Sequence, residues 1–206
     1  MSSEEVKKFF KSRYQTYGST FQAVQYSSLD SQYRRYEVLT ECVGYMDSVV
    51  DVGCGVGHLL QFLREKKGFQ GSYLGLDFLP EFVDESRLIF AADEKAKFEV
   101  FEIGKNPFPP GHDCFLLSGT FNNKRGDNAA FMLDAVKGMF EASRKLASFN
   151  AMSTYVDYQA ENLFYSDPLQ VIDFCKKNVT RKLVLRHEYL VKEGSIPFEY
   201  TMYLFK

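Results

Sequence analysis

At 206 residues, 45% of them hydrophobic, and with 25 basic against 27 acidic side chains for a net charge of −2, the chain reads as one ordinary globular domain with a core of its own. The mixed charge leaves no basic surface of the kind nucleic acid binds, and no apolar run approaches the roughly 18 residues of a membrane span, so neither nucleic acid nor membrane is an expected partner. Cys42, Cys54, Cys114 and Cys175 lack the paired spacing of a metal site, and the N-terminus has no signal-peptide core, which predicts reduced thiols, no metal and a cytoplasmic location.

From the N-terminus, Glu4 to Tyr17 carries Val6, Phe9, Phe10 and Tyr14 on one helical face, and Gly18-Ser19-Thr20 breaks it. Phe21 to Tyr26 is an apolar-aromatic link, and Ser31 to Met46 reads as a second helix with Tyr33, Tyr36, Leu39 and Val43 along one side. The aromatic share, 16% from 20 Phe and 13 Tyr, suits cores and sheets and also closed pockets that exclude water.

Val49-Val50-Asp51-Val52 is the first strand. It enters Gly53-Cys54-Gly55-Val56-Gly57, with glycine at every second position, and leaves as a helix with Leu59, Leu60, Phe62 and Leu63 at helical spacing. Such a strand, turn and helix open a nucleotide-type binding fold. A dinucleotide fingerprint needs its third glycine three residues after the second, so the spacing disfavours a pyrophosphate ligand. Ser72 to Asp77 is the next strand, and Asp77 stands about 20 residues past the glycines, where a carboxylate reaches ribose hydroxyls in folds of this type. The other reading of Asp77 is a cap for the helix that opens at Pro80 and Glu81.

Asp51, Gly53, Gly55 and Gly57 meet every position of D-x-G-x-G-x-G, and with Asp77 downstream this stretch resembles motif I of the class I S-adenosylmethionine (SAM) methyltransferases. The resemblance implies an α/β, doubly wound fold whose seven-stranded, mostly parallel sheet ends in an antiparallel hairpin strand. It also implies a helical arm over residues 1–46 acting as a lid on a SAM-binding domain of residues 47–206. Asp51, Gly53, Cys54, Gly55 and Gly57 would cradle SAM, with Asp77 on the ribose and Phe78 a further cofactor-binding residue. Tyr14, Tyr17 and Phe21 either touch cofactor or substrate or pack the arm on the sheet.

Pro80 to Ala92 is an amphipathic helix, and Lys97 to Phe101 is a strand ending at Glu102-Ile103. The family often carries an acid there for the adenine amino group, followed by an apolar side chain against the ring; Glu102 replaces the more usual Asp. Residues Asn106 to Gly111 form a proline-rich loop, and His112 to Leu117 is the fourth strand. The first and fourth strands flank the point where strand order reverses, so Ser118 to Lys124 should face the methyl group. Ser118 and Gly119 are placed to offer carbonyls to the SAM amino group, and Asn122 brings a neutral donor and acceptor. The Asn/Asp-Pro-Pro-Phe/Tyr motif of the N-methylating branches is absent, which argues against amines of nucleic acid or protein as acceptors.

Phe131 to Ala147 reads as a long helix and Ser148 to Ser153 as the fifth strand, opening into Thr154 to Gln159. Tyr155, Asp157 and Tyr158 join Asn122 as candidate catalytic residues: tyrosine hydroxyls to orient an acceptor, ring faces for the sulfonium, and Asp157 as base. Alternatively the tyrosines pack on the arm and Asp157 is solvated. Asp167-Pro168 starts a helix to Lys177, and Lys182–Tyr189 and Glu199–Phe205 are strands joined through Gly194-Ser195-Ile196-Pro197. The expected activity is methyl transfer from SAM to a small-molecule acceptor by a monomer or homodimer. Two other uses of the same site are cyclisation of SAM with release of methylthioadenosine, and a catalytically silent partner of another enzyme.

Overall fold

The apolar run at Val49 and Val50 becomes an interior strand. The computed structural model describes residues 1–206 and contains β1 (Ser48–Val52), β2 (Ser72–Asp77), β3 (Ala96–Val100), β4 (His112–Leu117), β5 (Ser143–Met152), β6 (Leu183–Arg186) and β7 (Glu199–Phe205). They form one sheet of order β3-β2-β1-β4-β5-β7-β6, in which β7 alone runs antiparallel to its neighbours β5 and β6. Around it lie α1 (Ser3–Tyr17), α2 (Leu29–Leu39), α3 (His58–Lys67), α4 (Pro80–Ile89), α5 (Asn128–Ala142) and α6 (Pro168–Asn178).

Successive strand side chains feed two cores. Val50, Val52, Leu74, Leu76, Phe115 and Leu117 pack toward α5 and α6, whereas Val49, Tyr73, Cys114 and Leu116 pack toward α2 and α3. Burial on both faces explains why these strands read as continuous apolar runs. Leu59, Leu60 and Leu63 on α3 are fully buried, each stabilising the fold by about 1.5–3 kcal/mol, so the helix that leaves the glycine loop is firmly anchored. β1 pairs with both β2 and β4, so strand order reverses beside it and a crevice opens beyond the carboxyl ends of β1 and β4.

Three boundaries differ from the periodicity reading. The helix expected over Phe131–Ala147 ends at Ala142, because Ser143 to Ala147 are claimed by the ladder with β4 (His112 opposite Ser143, Phe115 opposite Ala147). The helix expected to run to Met46 ends at Leu39: the Thr40 hydroxyl donates to the Tyr36 carbonyl at 2.6 Å, and only a 3-10 turn over Val43–Tyr45 follows. β6 stops at Arg186 and does not reach Tyr189, since Tyr189 and Val191 pack on Val38 of α2 and pull the connection to β7 away from the sheet.

The N-terminal prefix divides into two parts. α2 belongs to the core through Tyr36 and Leu39. α1, opened by a capping box between Ser2 and Glu5, lies over the ends of β2 and β3 through Lys7–Glu102 (2.9 Å), Lys11–Glu81 (2.5 Å) and the contact of Phe10 and Tyr14 with Phe82.

Candidate active site

The glycine loop is built from both sides. The Gly53 and Cys54 amides donate to the Leu76 carbonyl at 2.7 and 3.0 Å, which fastens the loop to β2. Gly53 has φ +80, and a Cβ there would lie 2.1 Å from Thr120 Oγ1; at Gly55, with φ +56, it would lie 2.8 Å from Val24 Cγ1. Glycine is required at both positions by conformation and by the close approach of the β4–α5 loop and the N-terminal segment. Gly57 begins α3 and stands outside the crevice lining.

Asp77 is held by backbone amides from two loops. Its Oδ1 accepts from the amide of Leu79, the N-cap residue of α4, and its Oδ2 from the Gly55 amide, each at 2.9 Å, so it fixes the turn before α4 without capping the helix and ties the two βα loops together. It also lines the crevice. Burial raises its pKa to about 6 against the pull of those amides. Asp51, buried at the end of β1, accepts from the Tyr73 hydroxyl at 2.5 Å, and burial raises its pKa to about 7. The Cys54 thiol lines the crevice too, and burial pushes its pKa up well above the ordinary range, which makes it a packing group.

The crevice has two compartments. The inner one, about 860 Å³ of empty space partly open to solvent, is reached by Asp51, Cys54, Ser118, Gly119 and Asn122 and roofed by Phe10, Val24, Gln25 and Tyr26. The side one, about 470 Å³, is lined by Val6, Phe101, Glu102, Ile103 and Phe131. Gly53, Asp77, Phe78, Thr120 and Arg125 line both and form the neck between them.

Asn150 of β5 shapes the end of β4: its Nδ2 donates to Ser118 Oγ at 3.0 Å and its Oδ1 accepts from the Gly119 amide at 2.9 Å. The Tyr26 hydroxyl lies 3.0 Å from Ser118 Oγ, and the Arg35 guanidinium stands 5.3 Å from the Tyr26 ring centroid. Arg35 makes a buried fork with Glu199, with Nε to Oε2 at 2.8 Å and the Nη2 contact at 2.6 Å. Glu102 is pulled upward in pKa by burial, but Lys7 and Lys105 overcome this and hold it below the ordinary carboxylate value. His58 is hydrogen-bonded at both nitrogens, to the Gln32 amide and the Ser19 carbonyl, and burial lowers its pKa, which makes it a neutral structural group.

Thus Asp51, Gly53, Cys54, Gly55, Asp77, Phe78, Glu102, Ile103, Ser118, Gly119 and Asn122 are brought together around the crevice. Tyr155, Asp157 and Tyr158 are not. Tyr155 and Tyr158 are 55% and 76% exposed, and none of the three lines the crevice. The returning half of their loop is bound to the β4–α5 loop, with the Phe164 amide on the Asn122 carbonyl (2.8 Å) and the Lys124 amide on the Asn162 carbonyl (3.1 Å), which turns 155–158 outward. Tyr14 packs on Phe82 at 5.5 Å between ring centroids and does not reach the lining. Tyr26, Tyr36, Arg35 and Arg125 were missed. The single trace of Arg35 in the sequence is a charge set among the apolar side chains of α2.

The crevice at the strand-order reversal thus combines a glycine loop with an acid at the end of β1 and another at the end of β2. The family described as "Methionine biosynthesis protein MetW" matches residues 34–85, the stretch that holds the cradle and both acids. The "Putative methyltransferase Rv1506c" of Mycobacterium tuberculosis is 32% identical over 155 residues, covering 72% of this chain and 90% of that protein. Among solved structures, magnesium protoporphyrin IX methyltransferase (ChlM) of Synechocystis PCC 6803 with bound S-adenosylhomocysteine (SAH) superposes with a TM-score of 0.69 at 10% identity, all of both chains being covered. The N-methyltransferase NodS of Bradyrhizobium japonicum WM9 with SAH gives 0.68 at 9% identity, covering 96% of this chain and 97% of that one. The chain belongs to the class I SAM-dependent methyltransferase family, and SAM is its cofactor.

Proposed function

We propose that the protein transfers the methyl group of SAM to a small-molecule acceptor held in the inner compartment. The observation that carries this reading is the roof: Phe10, Val24, Gln25 and Tyr26 belong to the chain's own N-terminal arm and cover the inner compartment, leaving a concave crevice only partly open to solvent. A duplex or a folded protein needs an open face instead. The unpaired thiols of Cys42, Cys54, Cys114 and Cys175 support a reducing, cytoplasmic setting, and no helix is long and apolar enough to cross a membrane.

SAM supplies a methyl group already activated on a sulfonium, so the chain's task is to bind, orient and exclude water. In this reading the Asp51 carboxylate takes the cofactor's ammonium and the free lone pairs of Asp77 take the ribose hydroxyls. Phe78, Glu102 and Ile103 flank the adenine in the side compartment, with Ser118 and Gly119 at the amino-acid end. Residues 1–28 serve as the lid. Tyr26, Tyr36 and Asn122 line the inner compartment with hydroxyl and amide groups that orient the acceptor. Tyr155, Asp157 and Tyr158 take no part.

Incubating purified protein with labelled SAM and fractionated metabolite pools tests the reading. SAH formed only when a small-molecule fraction is present supports it. Methylthioadenosine formed from SAM alone would replace it with cyclisation, and label transferred solely to protein or RNA would overturn the acceptor class.

A further inference from the structure

Arg125 is the charged side chain of the crevice that makes neither an ion pair nor a side-chain hydrogen bond, Glu102 acting on it only at longer range. Arg35 has Glu199, Asp51 has the Tyr73 hydroxyl, and Asp77 has two amides. Glu102 lines the same compartment as Arg125 but spends its carboxylate on Lys7 and Lys105. The Arg125 Nε is buried with no hydrogen-bond partner.

The side chain is nonetheless fixed. The Arg125 amide donates to Asn128 Oδ1 at 2.7 Å, Asn128 Nδ2 donates to the Asn123 carbonyl at 2.9 Å, and the guanidinium carbon lies 4.1 Å from the Phe131 ring centroid. Stacking on a ring covers one face of the guanidinium and leaves its in-plane donors free. Holding a partly buried cation and a buried donor unpaired costs free energy that an arriving anion returns.

We propose that Arg125 is the anion receptor of the acceptor site, engaging a carboxylate or phosphate group on the acceptor through its planar fork. The inference rests on the inner compartment being the acceptor site. Two sources of such an anion exist, the acceptor and the amino-acid carboxylate of the cofactor. Arg125 lines the inner compartment as well as the neck, whereas the amino-acid end of the cofactor is already matched to Asp51, Ser118 and Gly119, which line the inner compartment alone. An anionic acceptor is also complementary to the positive charge that SAM brings.

The test follows the Arg125 Nε–H resonance, identified by its loss in Arg125→Lys, in a proton–nitrogen correlation spectrum of the SAH-loaded protein. Acetate, benzoate, phenylacetate, inorganic phosphate and phenyl phosphate are added in turn, with phenylacetamide as the neutral control. At least one anion shifts the resonance saturably and phenylacetamide does not. Arg125→Gln weakens that anion about tenfold or more while SAH affinity changes less than about threefold. The proposal is overturned if no anion moves the resonance. It is equally overturned if SAH moves it and the decarboxylated analogue of SAH does not, since the arginine then belongs to the cofactor. Failure of SAH to bind at all would instead remove the reading of the crevice on which the proposal stands.

Discussion

Asn123 Nδ2 donates to Gln25 Oε1 at 2.7 Å, joining the β4–α5 loop to the roof of the inner compartment. Gln25 is the non-glycine residue with positive φ, +66, a conformation that costs roughly 1–2 kcal/mol for an L side chain. The bond holds a strained residue in place, so the roof is latched and carries a bias toward release.

Asn123→Ala should therefore loosen the arm. Amide hydrogen exchange over residues 6–26 is expected to speed up in the variant and to be restored in part by SAH, with SAH affinity reduced several-fold. Exchange identical to the parent would show that the arm is held by its other contacts, Lys7–Glu102 and Lys11–Glu81, alone.

Asp77→Ala should weaken SAH binding by roughly 1.5–3 kcal/mol, the cost of losing hydrogen bonds to a charged acceptor. Because Asp77 also receives the Gly55 and Leu79 amides, the melting temperature should fall with it, and Asp77→Asn should keep part of both effects. Calorimetric titration checks the first and thermal denaturation the second; unchanged SAH affinity would remove Asp77 from the ribose role.

Asp51 sets a pH dependence whose sign is fixed by burial. Its pKa is raised to about 7 in the folded chain, so the folded state holds the proton more tightly than the unfolded one. The stability from this group is present below the unfolded value near 4 and is lost as pH rises through 7. Asp51→Asn, a permanent mimic of the protonated acid, should melt with the parent at pH 5 and above it at pH 8. The cofactor's ammonium favours the ionised acid, so SAH affinity of the parent should climb between pH 6 and pH 8 and that of Asp51→Asn should not. A flat profile in the parent would place the ammonium elsewhere.

Tyr26→Phe should lower turnover about tenfold, or about 1.4 kcal/mol of transition-state stabilisation, with little change in SAH affinity. Tyr155→Phe should leave turnover within about twofold of the parent, given the exposure of Tyr155. The opposite ranking would move the acceptor to the 154–166 loop.

Gly53→Ala should abolish SAH binding, since the new Cβ meets Thr120 Oγ1 and the residue keeps φ +80. In a Thr120→Ala background the contact disappears and the conformational cost, roughly 1–2 kcal/mol, remains, so binding should return only in part. Full recovery would assign the whole effect to the contact.

What the sequence made legible was local. Asp51, the glycines and Asp77 lie within 27 positions, and a strand, a turn and a helix of fixed spacing suffice to bring them together. The wall of the inner compartment was not legible because it is assembled from distant pieces: Arg35 meets Glu199 across 164 positions, and Tyr26 meets Ser118 across 92. The outward turn of Tyr155, Asp157 and Tyr158 depends on pairing between 162–164 and 122–124, whereas alternation along β5 says nothing of where the chain goes after its end. Likewise the α5–β5 boundary was set by the partner strand, since Ser143 to Ala147 suit either state by composition.

Arg35 finds its counter-charge on β7, 164 positions further along the chain, and this orders the two in time. The glycine cradle and both acids leave the ribosome before residue 80, but a nascent chain still short of Glu199 carries an uncompensated guanidinium in the wall it must close, a state far costlier than the paired one. The glycine loop can therefore be made long before the wall of the inner compartment, which gains its paired guanidinium only once Glu199 has been added.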